Sequence, residues 1–347
     1  MESNGARRIT LKDIARETGY TVNTVSRALM GMSDISSATT EKIRLKADEM
    51  GYVRNHMASA LRSGSTHTIA LIVGHMTNPF FASVFDNVEK AATARGYTVM
   101  LLSSHEKSDR EMNAIQTAIS HNVDGLILFP CQENEDCLQL LRSSGIPFVI
   151  LCREFLNQPA DYVLWQEEEG GYLAARHLME MGHRKLIYVY DTNLIYSINQ
   201  RREGFLRACR EAGIPENDIR IISNVDESGQ DNASGTAERI AGLYRLGFDG
   251  VVAFCDMVAL RLIANLRVLK LRVPDDISFI GFDNTDQYAP TSTPLCSVDG
   301  HCEAISEAAV TLLDRRIKRE TFGPQKLFFP MEVICRESCH RGEACGS

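Results

Sequence analysis

The chain of 347 residues has no apolar run approaching the roughly 20 residues a membrane helix needs. Its start, MESNGARRITLKD, lacks the apolar stretch of about 7 to 15 residues that a secretory signal requires, so a cytoplasmic protein with no membrane partner is expected. No cysteine pair has C-x-x-C spacing, and most of the ten cysteines sit in apolar segments, which points to buried, reduced thiols. The tail set Cys335, Cys339, His340 and Cys345 matches no zinc pattern, so no metal is expected. Neither a G-x-G-x-x-G after a strand nor a Walker phosphate loop occurs, which argues against dinucleotide and nucleoside triphosphate cofactors; none is expected. His75, Asp124 and Asp191 fall near predicted strand ends, but no nucleophile, base and orienting group stand at mechanistic spacing, so the chain does not read as an enzyme. Excess positive charge is missing too: the net charge is −8.

That deficit is uneven. Residues 1–66 hold ten Lys/Arg against seven Asp/Glu, and the remainder holds 27 against 38, so only the N-terminal segment suits a phosphate backbone. Within it, RITLKDIARETGYTVNTVSRALMG (8–31) reads as two short helices around a tight turn. Ile9, Leu11, Ile14 and Ala15 recur at helical spacing, Thr10 and Asp13 can form a capping box, and Gly19 stops the first helix. Thr21 can cap the second, whose Val25 and Leu29 face inward while Val22, Asn23, Ser26 and Arg27 face solvent. A third helix over about Ala38 to Met50, with Ile43, Leu45, Ala47 and Met50 apolar, ends at Gly51. Residues 54–66 read as a short conditional helix and hinge.

From Thr68 onward apolar strands alternate with amphipathic helices, the pattern of parallel βαβ units. The pattern restarts after Trp165, giving two α/β lobes whose strand ends should line a ligand cleft. Beyond Pro290 one helix (about 301–318) and one strand (about 326–333) are predicted to return and complete the lobes.

Over nearly its whole length the chain resembles the LacI family of bacterial transcription regulators. The matching segments are TLKDIARETGYTVNTVSRAL (10–29), EKIRLKADEMGY (41–52), MASALRSG (57–64), NPFF (78–81), MGHRKLIYV (181–189), RREGF (201–205), VPDDISFIGFDN (273–284) and FFPMEVICRES (328–338). The resemblance implies a multidomain α and α/β chain: a three-helix helix-turn-helix headpiece (1–53), a hinge helix and linker (54–66), a core (67–338) similar to type I periplasmic binding proteins with parallel sheets, and a tail (339–347). Lobe 1 is expected to comprise about 67–163 plus 293–322, and lobe 2 about 164–292 plus 323–338.

The implied function is that of a homodimeric repressor that binds a palindromic double-stranded operator and senses a small-molecule effector of carbohydrate type. Implied DNA contacts are Thr10, Thr21, Val22, Asn23, Thr24, Ser26, Arg27, Asn55 and Leu61. Asn23 could pair bidentately with adenine, Arg27 could reach guanine or phosphate, and the hydroxyls suit phosphate; Thr21 serves equally as a plain N-cap. Leu61 reads either as a packing residue or, following the family, as a minor-groove wedge. Implied effector contacts are Asn78, Phe80, Trp165, Arg201, Cys255 and Asp283. For Asp283 a structural ion pair, and for Trp165 a core position, are the alternatives. Three positions depart from the family pattern: Arg54-Asn55 for Pro-Asn, Gln166-Glu167 for Asp-Asn, and Cys255-Asp256 for Asn-Asp. A transport solute-binding protein would share the core but not residues 8–52, and a regulator independent of any effector is the other alternative.

Overall fold

The computed structural model describes residues 9–52, 65–191, 195–226, 230–287 and 294–339. The chain divides into two compact units, Met1–Thr66 and His67–Ser347. The first holds α1 (Leu11–Thr18), α2 (Val22–Leu29) and α3 (Ser37–Glu49). Ile14, Val25, Ala28, Ile43 and Ala47 form its core, with Leu11, Tyr20 and Leu29 packed around it. Leu45, expected among the apolar positions, is 61% exposed.

The second unit contains two six-stranded sheets. In the first lobe, β1 (Thr68–Val73), β2 (Thr98–Ser103), β3 (Gly125–Leu128), β4 (Phe148–Leu151) and β5 (Tyr162–Trp165) alternate with α4 (Pro79–Thr93), α5 (Ser108–Ser120) and α6 (Asp136–Ser144). The second lobe carries α7 (Glu167–Glu180), β6 (Leu186–Tyr190), α8 (Tyr196–Glu211), β7 (Ile219–Ser223), α9 (Ala233–Tyr244), β8 (Gly250–Ala253), α10 (Asp256–Val268) and β9 (Ser278–Phe282). Strands β1, β3 and β8 are nearly continuous apolar runs because helices cover both faces of a parallel sheet.

The final segment contradicts the expected lobe division. β10 (Cys296–Asp299) pairs with β9 in the second sheet, α11 (Cys302–Ile317) packs on α4 and β3 in the first lobe, β11 (Lys326–Phe329) pairs with β5, and β12 (Glu332–Ile334) runs antiparallel to β10. Residues 296–299 therefore belong to lobe 2, and 326–329 to lobe 1. Pro330, which has no N–H to give a ladder, splits the single predicted strand 326–333 into two that serve different sheets.

The chain thus crosses between lobes three times, at 165–167, 299–302 and 329–332. These crossings pack against one another. Trp165 Nε1 donates to the Gly300 carbonyl at 2.5 Å, the Gln166 N–H donates to the Phe329 carbonyl at 2.9 Å, and Met331 packs on the first turn of α7, where a Cβ on Gly170 would lie 2.6 Å from its Sδ. One apolar cluster runs from β1 and α4 through Trp165, Met331 and Cys302 into α7, β6 and Phe282.

Two glycines set the closest helix pair. A Cβ on Gly171 would lie 1.9 Å from the Arg201 carbonyl oxygen, and one on Gly204 would lie 1.7 Å from that of Glu168. Only bare Cα atoms let α7 and α8 approach this closely. No helix among the described residues is long and apolar enough to cross a membrane.

Candidate functional site

In the first unit, the helix pair is built by its caps. Thr10 Oγ1 accepts from the Asp13 backbone N–H at 3.4 Å, and Asp13 Oδ2 accepts from the Thr10 N–H at 3.0 Å, completing a capping box. Gly19, at φ +75°, ends α1 in the left-handed region that glycine tolerates. Thr21 Oγ1 then accepts from the Thr24 N–H at 3.1 Å and starts α2.

Thr21, Val22 and Asn23 are exposed at the start of α2, with Thr24 half-buried beside them. Ser26 corrects the expectation of a solvent-facing side chain: it is 8% exposed. Because α2 packs against both α1 and α3, its buried stripe is wider than the Val25 and Leu29 line, and a small hydroxyl fits inside it. Arg27 is half-buried and pairs with Asp34, Nη2 to Oδ2 at 2.5 Å and Nε to Oδ1 at 3.3 Å. An exposed pair of this kind contributes about 0–1 kcal/mol, too little to hold Arg27 against a phosphate or a base. Asn55 and Leu61 lie outside the described residues.

In the second unit, a cavity of about 490 Å³ lies between the lobes, and all six predicted effector residues, Asn78, Phe80, Trp165, Arg201, Cys255 and Asp283, line it. Most lining residues follow the carboxyl ends of strands: Asn78 after β1, Glu106 after β2, Arg153 after β4, Asp191 after β6, Cys255 after β8 and Asp283 after β9. His75 and Asp191 line it too, whereas Asp124 does not.

Asn78 caps α4, its side chain accepting from the Phe80 N–H at 3.1 Å, which fixes Phe80 on the first helical turn. The Phe80 ring lies 5.7 Å from that of Trp165 and 6.1 Å from that of Phe129, making an aromatic floor. Trp165 is only 3% exposed, so it acts as a core residue whose ring also borders the cavity.

Three arginines enter the cavity wall, each matched to a carboxylate. Arg153 holds Glu106 through both guanidinium ends, at 2.7 and 2.8 Å. That grip needs Gly74, since a Cβ there would lie 2.0 Å from Glu106 Oε1. Arg261 meets Asp231 at 2.9 Å. Arg201 Nε donates to Glu167 Oε2 at 2.6 Å, Nη2 to Glu167 Oε1 at 3.3 Å, and Nη1 to the Phe254 carbonyl at 2.6 Å.

Burial works against the Arg201 charge, but Glu167 and Asp283 outweigh it and hold the guanidinium ionised. Of its five N–H donors, three are thus used, and two have no acceptor among the described residues. Asp283 sits 3.8 Å from Arg201 Nη1, at φ +97°, a conformation that is costly for a side-chain-bearing residue and typical of functional positions. Desolvation raises its carboxyl to about 6, with Arg201 acting in the opposite direction. Burial likewise pushes up the Asp191 carboxyl and the Cys255 thiol, so Cys255 presents a neutral, weakly polar group to the cavity.

Glu167, Glu106 with Arg153, and Asp231 with Arg261 were not singled out as ligand-facing by sequence reasoning. Glu167 carried a signal nonetheless, as part of the Gln166-Glu167 departure from the family pattern. Eight cysteines, at 131, 137, 152, 209, 255, 296, 302 and 339, are buried free thiols as expected.

A headpiece that displays the start of a capped second helix, with a two-lobed core around a polar cavity, defines a DNA-binding regulator with a ligand-binding core. Comparison with known proteins gives the family. Residues 10–55 match the profile of bacterial regulatory proteins of the lacI family, and residues 175–339 match that of the periplasmic binding protein-like domain. The chain is 31% identical over 330 residues, 95% of its length and 98% of the relative's, to the HTH-type transcriptional repressor PurR of Vibrio vulnificus (strain CMCP6).

Among solved structures, a transcriptional regulator CelR–cellobiose complex aligns over 95% of this chain and 100% of its own, with 26% identity and a TM-score of 0.69. A LacI family regulator from Enterococcus faecium with bound ribose aligns over 78% of this chain and 98% of its own, with 25% identity and a TM-score of 0.68. The chain belongs to the LacI family: it is a DNA-binding transcriptional repressor with a ligand-binding core, and not an enzyme.

Proposed function

We propose that the protein represses transcription as a cytoplasmic homodimer on a palindromic operator, and that an uncharged polyhydroxylated molecule, a sugar, bound in the cavity sets its operator affinity. The charge balance of the cavity carries this proposal. Its lining holds five carboxylates, Glu106, Glu167, Asp191, Asp231 and Asp283, against three guanidiniums, each already matched to one of them. A phosphorylated or carboxylated ligand would meet net repulsion there. Vicinal hydroxyls suit the two remaining Arg201 donors and the Asp283 acceptor, and the face of Phe80 suits the apolar side of a pyranose or furanose ring. The solved relatives with cellobiose and ribose agree with that chemistry.

On the DNA side, Val22, Asn23 and Arg27 would read base edges, while Thr10, Thr21, Thr24 and Asn55 would fix the phosphates. Ser26, being buried, could contribute only through its helix. Residues 1–53 would act as the headpiece, 54–66 as a hinge carrying the Leu61 wedge, 67–338 as the core and 339–347 as a tail. Effector binding would change the angle between the lobes and hence the spacing of the two hinges across the dimer, coupling two sites through one bistable element.

Glu167 favours a second reading, a repressor that needs no effector, because its carboxylate already occupies Arg201 from within the chain. A thermal-shift screen separates the two. A neutral sugar at 100 times its Kd should add about 2.7 kcal/mol to folding and change operator affinity in fluorescence anisotropy, whereas sugar phosphates should do neither. Silence from every neutral sugar, or a response to phosphates alone, would overturn the proposed ligand class.

A further inference from the structure

Away from the cavity, three soft ligands meet inside the second lobe. His177 comes from α7, Cys296 from β10, and Cys339 from the turn Glu337–Cys339 that follows β12. One ligand atom from each, a ring nitrogen and two sulfurs, lies within 4.8 Å of the other two, and the residues are 9%, 0% and 1% exposed. We propose that these three residues bind a soft d10 cation, Cu(I), in three-coordinate geometry.

The separations fit that geometry. At the bond lengths imidazole and thiolate make to d10 ions of this size, about 2.0–2.3 Å, the two sulfurs and one nitrogen of a trigonal plane lie about 3.7–4.0 Å apart, so the cluster need contract by no more than about 1 Å. Ordinary core packing accounts for the two thiols, since Cys339 Sγ donates to the Phe279 carbonyl at 2.9 Å and Cys296 Sγ to that of Arg336 at 3.1 Å. It accounts less well for His177, whose ring meets the Cys296 sulfur but whose buried Nε2 closes no hydrogen bond of ordinary geometry, a costly state for a polar nitrogen. The Arg336 N–H also donates to Cys296 Sγ at 3.0 Å, the kind of outer contact that steadies a metal thiolate.

Ligand number selects the ion. No fourth His, Cys or carboxylate joins the cluster among the described residues, and structural zinc takes four ligands, whereas paired thiolates favour Cu(I). On binding, both thiols release their protons to solvent, two copper–sulfur bonds and one copper–nitrogen bond form, and no oxidation state changes. The bound ion would clamp the turn Glu337–Cys339 to β10 and α7.

The test is an anaerobic titration of the reduced, metal-free full-length protein with Cu(I) in competition with bicinchoninate. The protein should withdraw one equivalent, gain ultraviolet thiolate-to-copper absorption, and unfold at higher temperature. The Cys296→Ser/Cys339→Ser variant should lose that equivalent. If the variant proves unstable, X-ray absorption on the wild-type complex decides, with two sulfurs and one nitrogen expected around copper. An absence of Cu(I) uptake, equal uptake by the variant, an all-sulfur or four-ligand shell, or retention of Zn(II) in preference to Cu(I) would each overturn the proposal.

Discussion

Asp283 should weaken the fold that carries it. Its side chain is 7% exposed, and its nearest cationic atom, Arg201 Nη1, stands 3.8 Å away and is bonded elsewhere. The carboxyl is raised from 3.8 to about 6, so between those values the folded chain binds more protons than the unfolded chain does. By linkage, the contribution of this group to stability falls as pH rises through that window. Above it the loss is complete, at about 3 kcal/mol for a shift of about two pH units. Asn keeps the shape and tolerates positive φ while removing the charge.

Asp283→Asn should therefore raise the free energy of unfolding by about 1–3 kcal/mol at pH 7.5, with the advantage falling to roughly half at pH 5, where Asp283 of the wild type is mostly protonated. Urea unfolding of both proteins at the two pH values measures this directly. The same variant should lose its response to effector, because the acceptor for a ligand hydroxyl is gone. A variant less stable than wild type at pH 7.5, or an advantage that does not change with pH, would refute the reasoning.

Four further outcomes are expected. Arg201→Ala should abolish the effector response and cost about 3–5 kcal/mol by leaving Glu167 buried and unpaired; Arg201→Met with Glu167→Leu should recover stability but not the response, as read by unfolding and operator anisotropy. Arg27→Ala should relax base preference in a selection from random DNA, and uniform weakening across sequences would instead mark Arg27 as a phosphate contact. Gly171→Ala should force α7 and α8 apart at a cost of at least about 1–3 kcal/mol and weaken the Glu167–Arg201 pair; an unchanged melting temperature would contradict the close approach. Leu61→Ala should reduce operator affinity and DNA bending together in gel-shift assays with phased bends.

Periodic features of the sequence carried much of the architecture. The alternation from Thr68 to Phe282 predicts both lobes, and the spacing of Thr10, Asp13, Gly19 and Thr21 predicts the helix pair, because caps and apolar stripes are local. What escaped was set by distant partners. Glu167 and Arg201 are 34 residues apart, and they meet only because Gly171 and Gly204 allow two helices to touch. β10 is too short and too polar, as CSVD, to announce itself; its place beside β9 is fixed by pairing. Ser26 looked outward by helical geometry alone, but α3 covers a side that a two-helix view leaves open.

The three interlobe crossings bear on what kind of message the cavity can send. Two bodies joined by one strand can swing and twist in many directions. Three strips packed side by side, tied by Trp165 against Gly300 and Met331 against Gly170, resist twisting and sliding and leave bending as the soft motion. On the proposed coupling, what occupancy of the cavity changes would reduce to one scalar, the opening angle. A ligand that props the lobes apart and one that draws them together would then act on the same axis with opposite sign, so release and tightening of the operator would be two directions of one lever, and a few contacts would suffice to reverse the logic of the switch.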